Sequence, residues 1–498
     1  MSRISFGDFC KGLGFSQYPF QVYTSELEQQ EGSELFVDIS IYSPIVEGFL
    51  RGGTMLLAGD RGTGKTAILY DFLRKSNKRT LIVNISDYSP LPTEYNSHQL
   101  YKFIISRLSD ALFSKMSEDK KTGKALTRDD KISLSYYLAH FTHPSTTAQL
   151  KRQIEKLQVG LFPRLLNLIY RVSRHSLNLG ANATANFFGD LISKSVGMHS
   201  PDQKWTEYFP DRKIAVDTSF AEEDASYRVL MSLVDLAKKV GYERVTIIFD
   251  KIDEDPRLNN AGEEIADFIR PLVTDNKLLI DNRLQNIVAL WVIPFNLLRN
   301  SVRTQKIYCP IISWKDGDLF AALDRRLQHF SNQRIGKFTD LLSPDVDQLL
   351  CQEMISLSNR NPRDLWHLMH QIFLAQHAYD EASLKLTRQA FQDGFNTFVK
   401  DFNFYEYYPQ KSNARANSMD VYAYIKHLLK LNSVTFTKNQ LNNSAGTGSS
   451  TQNYVTAMES MGLIERLAAN VSGATEYKIR DPKVIYALNN QIELRPVK

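Results

Sequence analysis

A glycine-rich loop between an apolar run and a helix-like run limits most strongly what this chain can fold into. Residues 59–66 read G-D-R-G-T-G-K-T, which matches the phosphate-loop pattern G-x-x-x-x-G-K-T. The apolar run 54–58 precedes the loop, and a helix-like run, 67–73, follows it. Glycines let backbone N–H groups converge on phosphate oxygens at a helix N-terminus. The sequence therefore predicts a nucleotide-binding loop between a strand and a helix.

The polar residues of this loop have predicted roles. Lys65 can reach the β- and γ-phosphates of a nucleoside triphosphate, and the Thr66 hydroxyl can bind Mg²⁺. Lys65 is therefore also a predicted catalytic residue. The predicted phosphate-binding residues are Gly59, Gly62, Thr63, Gly64, Lys65 and Thr66.

The composition is that of an ordinary globular protein. The chain has 498 residues, 43 % of them hydrophobic and 23 % charged, and roughly two to four domains are expected. No apolar run is long enough to span a membrane, and the N-terminus carries no apolar signal core, so we expect neither a membrane span nor secretion. Three cysteines lie far apart without a C-x-x-C pair. This pattern favours the cytoplasm and argues against disulfides or a zinc site.

Apolar runs that alternate with helix-like runs around the loop favour the α/β class, with a parallel sheet and helices on both faces. The predicted segments are, in chain order, a cap (1–35), the first part of a P-loop core (36–98), a helical insertion (99–237), the second part of the core (238–335), a helical lid (336–410) and a winged helix (415–498).

An apolar run at 245–249 ends at Asp250, where nucleoside triphosphatases hold Mg²⁺. Hydrolysis also needs a carboxylate near the γ-phosphate to orient and deprotonate water. The simplest arrangement has Glu directly after the Asp, but Lys251 stands there. Either Asp253 or Glu254 acts from the following turn, or the protein binds ATP and barely hydrolyses it.

Polar residues elsewhere are further site candidates, each with a plainer structural interpretation. Asn296 follows an apolar core run and either contacts the γ-phosphate or attacking water, or caps a strand end. Arg363, at the start of a predicted lid helix, either reaches the phosphates or pairs with Asp364. Arg325 and Arg326 either supply a charge-neutralising finger to a neighbouring subunit or face solvent.

The C-terminal segment reads helix, strand, helix, helix and a two-stranded hairpin, which is the order of a winged helix. Residues 411–498 carry 11 Lys+Arg against 6 Asp+Glu, which accounts for the whole net charge of +5. DNA binding would use residues 451–454, predicted to be exposed, with Lys478 and Arg480 on phosphates. Winged helices also bind proteins, so both kinds of partner stay open.

Together these features resemble AAA+/STAND-type P-loop ATPases. They are the loop 59–66, the strand end 250–254, the N-P-R at 361–363 and the terminal winged helix. Within that group the chain is most similar to bacterial proteins like origin-recognition-complex ATPases, whose opening pieces match L-G-F, P-F and F-V-D between residues 13 and 38. Lys251 departs from their Asp-Glu strand end, and the order D-x-hydrophobic-D-E is similar to the STAND branch instead.

The resemblance implies that Asp250 holds Mg²⁺ and that Asp253 or Glu254 supports hydrolysis. It also implies a switch that forms a homo-oligomer or remodels a protein partner, with DNA as a further candidate partner, and a role in antiviral defence. We therefore predict a cytoplasmic ATPase that couples Mg-ATP turnover to conformational change.

Other functions remain as alternatives. The main one is a non-hydrolytic ATP-binding scaffold that recruits proteins through the insertion and the winged helix. A small-molecule kinase suits the long insertion and the tail less well. GTP is less favoured than ATP, because the nearest approach to a guanine-selective string, T-K-N-Q at 437–440, ends in Gln.

Overall fold

A parallel sheet of four strands lies at the centre of the computed structural model, which describes residues 4–29, 31–118, 130, 137, 222–410, 420–469 and 474–495. The strand order is β1-β4-β3-β2, and all neighbours are parallel. The strands are β1 (Met55–Gly59), β2 (Thr80–Ile85), β3 (Arg244–Phe249) and β4 (Gln285–Trp291).

An extended segment at 308–312 continues the sheet beyond β1. The Ala58 N–H donates to the Pro310 carbonyl at 3.0 Å, and the Ala58 carbonyl accepts from the Ile312 N–H at 2.8 Å. Proline has no N–H for a second neighbour, so this segment suits the edge of the sheet. Its addition means that β1, which precedes the loop, is no longer at the edge of the sheet but second among five extended chains.

Helices cover both faces of the sheet, which confirms the predicted α/β class. In chain order, the first nine described helices are α1 (Phe6–Gly12), α2 (Gly32–Leu35), α3 (Tyr42–Leu50), α4 (Lys65–Lys75), α5 (Ser97–Glu118), α6 (Glu222–Val240), α7 (Gly262–Val273), α8 (Asn276–Ile280) and α9 (Val292–Leu298). Successive β1 residues point to opposite faces of the sheet. Leu57 packs with α3 and α4, whereas Leu56 packs with α5, α6 and α7.

The predicted insertion at 99–237 begins and ends inside helices of the core. Both α5 and α6 bury apolar side chains against the sheet, so residues 99–118 and 222–237 belong with the core rather than with a separate subdomain. Apart from Asp130 and Tyr137, the predicted helices between residues 118 and 222 lie outside the described residues.

A second core is built from α10 (Asp316–Phe330), α11 (Gln348–Leu357), α12 (Pro362–Tyr379) and α13 (Arg388–Lys400). The N-terminal segment adds Phe9, Phe15 and Phe20 to it. The helices α12 and α13 cross closely at Gly394, because a Cβ there would lie 2.8 Å from the Ile372 Cα. The helix α10, predicted as part of the P-loop core, therefore packs with the predicted lid.

The C-terminal unit contains α14 (Val421–Leu428), β5 (Thr435–Thr437), α15 (Lys438–Ala445), α16 (Thr451–Ser460), β6 (Ile464–Ala469), β7 (Thr475–Ile479) and α17 (Pro482–Asn489). Its antiparallel sheet has the order β5-β7-β6. The short strand β5 joins the hairpin, since Phe436 pairs with Tyr477 and buries both rings.

A buried ion pair joins this unit to α12. The Lys483 ammonium, at the start of α17, lies 3.0 Å from the Asp364 carboxylate, and the two side chains are 0 % and 4 % exposed. The ammonium also lies 4.2 Å from the Phe402 ring centre. No helix in the described ranges is both long and apolar enough to cross a membrane.

Breaking this pair from one side should destabilise the fold strongly. Lys483→Met leaves a buried, unpaired carboxylate, and the expected loss of unfolding free energy is roughly 3–5 kcal/mol in urea titrations. The double variant Lys483→Met/Asp364→Leu should lose less than either single variant. Arg495→Ala, which breaks an exposed pair with Asp401 at 3.4 Å, is the control and should cost about 1 kcal/mol or less. Additive losses in the double variant would contradict this interpretation.

Candidate nucleotide-binding site

The phosphate loop lies where the sequence predicts it, between the end of β1 at Gly59 and the start of α4 at Lys65. Gly62 and Gly64 have φ of +81° and +87°, a region that residues with a Cβ adopt only with strain. The Trp314 indole N–H donates to the Thr63 carbonyl at 2.9 Å and fixes the loop from outside. A loop of this conformation, at the N-terminus of α4, suits the binding of phosphate oxygens by backbone N–H groups.

The Lys65 side chain is folded back onto the loop. Its ammonium donates to the carbonyls of Gly59 at 2.9 Å and Asp60 at 2.8 Å. Burial lowers the pKa of Lys65, and the nearby carboxylates of Asp253, Asp60 and Asp250 oppose that shift. A half-buried cation next to a glycine loop suits an anionic ligand.

Thr66 and Asp250 form the candidate magnesium site. The Thr66 hydroxyl donates to the Asp250 carboxylate at 3.0 Å, and the Lys251 N–H donates to the other carboxylate oxygen at 3.0 Å. Burial raises the pKa of Asp250, and these two hydrogen bonds oppose the shift. Within the described residues, no group of three or more His, Cys, Asp and Glu could hold a metal. One hydroxyl and one carboxylate fit Mg²⁺, which takes few protein ligands and completes its shell with water and phosphate oxygens.

The acidic turn after β3 places its two candidate bases differently. Arg61 holds Asp253: its Nε donates to the carboxylate at 2.6 Å, and a second nitrogen donates to the Asp253 carbonyl at 2.8 Å. The guanidinium also donates to Asn260 at 2.6 Å and lies 4.1 Å from the centre of the Trp291 ring. Glu254 is exposed and lines the cleft. Asp253 is therefore engaged, whereas Glu254 faces the space above the loop.

The lid helix α12 begins directly against the phosphate loop. The buried Asn361 amide donates to the Arg61 carbonyl and accepts the Arg363 N–H at 3.0 Å. A Cβ on Gly62 would lie 2.5 Å from Asn361 Oδ1 and 2.8 Å from Arg363 Cβ. Arg363 points into the cleft and lies 3.6 Å from Glu406, not against its chain neighbour Asp364.

Two cavities meet at the loop. The larger, of about 660 Å³, is polar and is lined by Lys65, Thr66, Asp250 and Glu254, together with the N-terminal segment 23–26. The smaller, of about 140 Å³, is lined mainly by apolar and aromatic side chains, including those of Phe36, Val37, Ile39, Trp314 and Trp366. Tyr23, Gly62 and Arg363 line both. A polar cleft for phosphates beside an apolar pocket for a base fits a nucleotide that straddles the loop.

Two predicted residues do not reach the polar cavity: Asn296 lies outside both cavities, and Arg326 lines only the apolar one. Asn296 is exposed on α9 and does not line either cavity, because the chain turns into the helix directly after Trp291. Arg326 is buried and donates to the Pro19 and Val22 carbonyls and to Glu28, so it cannot act as a finger toward another subunit. It anchors the N-terminal segment that lines the cavities instead.

Several residues of the site were not found from the sequence. The linker after α13 reaches the loop, and the Tyr407 hydroxyl donates to the Asp60 carboxylate at 3.3 Å. Burial raises the pKa of Asp60, while Lys65 and this hydroxyl oppose the shift. The Lys251 ammonium lies 2.6 Å from Glu26 of the N-terminal segment. These partners are hundreds of positions apart in the chain, and no local pattern marks them.

A side chain at Gly62 should displace the lid or the loop. Gly62→Ala combines a positive φ, which costs roughly 1–2 kcal/mol outside glycine, with the clash against Asn361. We expect a loss of ATP affinity of about tenfold or more, measured by titration calorimetry. Gly317→Ala is the control, because nothing lies within 4 Å of a Cβ there. Unchanged affinity in Gly62→Ala would contradict the contact between lid and loop.

No family model matches this chain. No curated protein matches it either. Among solved structures it is similar to the ORC2 protein of Aeropyrum pernix in its ADPNP-ADP complexes, with 10 % identity, a TM-score of 0.38 and 97 % of each chain covered. A Walker-type ATPase of Pyrococcus abyssi matches with 13 % identity and a TM-score of 0.36, over 94 % of this chain and 96 % of that one. The Drosophila ORC bound to DNA matches with 11 % identity and a TM-score of 0.27, over 98 % of this chain and 92 % of that one. At these scores the likeness decides nothing about the activity of the chain.

Proposed function

We propose that this protein binds Mg-ATP and hydrolyses it, and that the cycle moves the lid and the C-terminal unit relative to the core. One observation carries the proposal: the Thr66 hydroxyl meets the Asp250 carboxylate at 3.0 Å, at the mouth of a glycine loop with Lys65 at its centre. This arrangement has the ligands for a metal-bound triphosphate and few other uses.

The position of each residue in the site indicates its role in binding the nucleotide. Lys65 would leave the carbonyls of Gly59 and Asp60 for the β- and γ-phosphates, and loop N–H groups would hold the phosphate oxygens. Thr66 and Asp250 would hold Mg²⁺, which neutralises charge on the phosphates when bound. Arg363, at the start of α12, would bind the γ-phosphate in place of Glu406.

Hydrolysis needs a base for one water molecule. The water oxygen attacks the γ-phosphorus, the bond from that phosphorus to the β,γ-bridging oxygen breaks, and ADP and phosphate leave. Glu254 is the better base, since it lines the cleft and is exposed, whereas Asp253 is bound by Arg61. Asp253 would then hold the turn in place rather than take the proton.

The lid and the linker connect this chemistry to the C-terminal unit. Arg363 and Asp364 are neighbours on α12; the first lines the polar cavity, and the second pairs with Lys483 of α17. Tyr407 of the linker contacts Asp60 of the loop. A change in the phosphates would therefore reach the C-terminal unit through two short routes. A role in defence against phage rests on resemblance alone and forms no part of this proposal.

Phosphate release separates the proposed roles. We expect Glu254→Gln to lower kcat about 100-fold or more while ATP still binds, because it removes the base alone. Asp253→Asn should lower kcat less, because the bond between Arg61 and Asn260 still holds the turn in place. Lys65→Ala should lose ATP binding. Glu263→Gln, on an exposed glutamate of α7, is the matched control and should behave as the unmodified protein.

The outcome also tests the alternative of a non-hydrolytic scaffold. Lys251, in place of the usual Glu after the strand, is the observation that favours that alternative. Tight ATP binding without turnover in the unmodified protein would establish the scaffold and reject hydrolysis. If Asp253→Asn lowers kcat more than Glu254→Gln does, Asp253 is the base.

We further propose that the C-terminal unit is a winged helix that reports the nucleotide state to a partner. Residues 451–454, which the sequence predicts to contact DNA, are only partly exposed. Gln452 and Asn453 are exposed, but Thr451 is buried and Tyr454 stacks on His427. Lys478 and Arg480 are exposed on and beside β7. The exposed cations of β7 therefore support a DNA contact better than α16 does.

Duplex DNA should stimulate ATP turnover if this unit binds it. The double variant Lys478→Ala/Arg480→Ala should remove the stimulation, and rising salt should weaken it, because phosphate contacts release counterions. Lys430→Ala removes an exposed charge from the same unit and is the control. If duplex DNA does not change the rate of ATP turnover at low salt, the partner of this unit is a protein instead.

A further inference from the structure

Lys251 has an unusual backbone at the position where the sequence departs from the expected pattern. Its φ is +59°, a left-handed conformation that residues with a Cβ seldom adopt. Lys251, Asn259 and Asn260 are three of the eight non-glycine residues with positive φ in the described part, and all three line the phosphate cleft. Strained backbone of this kind persists where the surroundings enforce it, often at functional sites.

The Lys251 ammonium is inside the cleft and paired with acids. It lies 2.6 Å from a Glu26 oxygen and 3.8 Å from a Glu254 oxygen, and its side chain is 27 % exposed. Both carboxylates line the same cleft. Lys251 is therefore a partly exposed cation, directly after the candidate magnesium ligand Asp250, with two carboxylate partners that are themselves partly exposed.

Arg61 shows what a structural cation in this cleft looks like. Its guanidinium is fixed by Asp253 and Asn260 and stacks on Trp291. That pair is more buried than the pair of Lys251 with Glu26, whose side chains are 27 % and 29 % exposed. The lysine ammonium is also a compact charge on a flexible stem, which can change partners at small cost.

We infer that Lys251 is a third phosphate-binding cation, besides Lys65 and Arg363, and that it leaves Glu26 for the γ-phosphate when a triphosphate enters. The inference rests on the proposed function. In the state with ADP, Lys251 keeps Glu26 as its partner. The residue that replaces the usual acid is then a specificity determinant, which makes the protein prefer ATP to ADP.

The partner Glu26 gives this exchange a second effect. It belongs to the segment 23–26, which lines the phosphate cleft, and Tyr23 of that segment also lines the apolar cavity. Losing the ion pair with Lys251 frees one end of this segment. The presence of a γ-phosphate is thereby passed to the N-terminal segment, independently of the lid.

A plainer role for Lys251 is to hold the N-terminal segment in place through Glu26. The two roles predict opposite behaviour for Glu26→Gln. If Lys251 binds phosphate, loss of the competing carboxylate strengthens triphosphate binding. If the ion pair only holds the segment, Glu26→Gln and Lys251→Ala weaken the site alike.

The test is the affinity of the full chain for ADP and for the non-hydrolysable β,γ-imido analogue of ATP, both with Mg²⁺, by titration calorimetry. Lys251→Ala should lower the analogue-to-ADP preference about tenfold, the usual size of a lost charged hydrogen bond. Lys251→Arg should keep most of the preference, and Glu26→Gln should increase it. Lys78→Ala, which removes an exposed lysine outside the cleft, should leave it unchanged.

Each remaining outcome overturns something definite. Equal losses for both nucleotides in Lys251→Ala, or a preference that falls in Glu26→Gln, reject the phosphate-binding role of Lys251. Nucleotide binding that Lys65→Ala does not weaken rejects the nucleotide site, and this inference with it. A changed preference in a protein without turnover rejects only the hydrolytic part of the proposed function.

Discussion

The buried side-chain amide of Asn361 is the contact on which the nucleotide site depends. Its oxygen accepts the Arg363 N–H and so begins α12, while its nitrogen donates to the carbonyl of Arg61 in the phosphate loop. Because the Asn361 side chain is 0 % exposed, loss of either bond would leave a buried amide group without a partner, which is costly. The lid helix and the loop therefore share one anchor, and the absence of a Cβ on Gly62 leaves room for it.

Charges in the cleft are arranged in pairs that a triphosphate can rearrange. Arg363 faces Glu406 at 3.6 Å, Lys251 faces Glu26 at 2.6 Å, and Lys65 lies on backbone carbonyls. Arg363 and Lys251 have partners from other parts of the chain, whereas Lys65 lies on carbonyls of its own loop. Exchange of these partners for phosphate oxygens would alter contacts to the lid linker and to the N-terminal segment together. The binding chemistry and the coupling between segments thus use the same side chains.

How far the sequence predicts this site depends on how local each feature is. The phosphate loop, the α/β class and the strand that ends at Asp250 follow from short patterns of known physical meaning. The contact between Arg61 and Asp253 joins positions 192 apart, and that between Tyr407 and Asp60 joins positions 347 apart. The sequence predicts Arg326 to be exposed, but it is buried, because its partners lie near the N-terminal end of the chain. Asn296 follows a core strand, but the turn into α9 at that point was not visible in the pattern.

The ion pair of Lys483 and Asp364 has a consequence for the kind of motion open to the C-terminal unit. A small displacement would separate two charges while both side chains remain buried, with the ammonium still among aromatic rings. The free-energy cost of separating the charges falls again only when the unit has moved far enough for water to hydrate both the ammonium and the carboxylate. Under the proposed cycle, the unit would therefore be either docked or released, with an energy barrier between the two positions. A partner of this protein would receive a step rather than a graded signal.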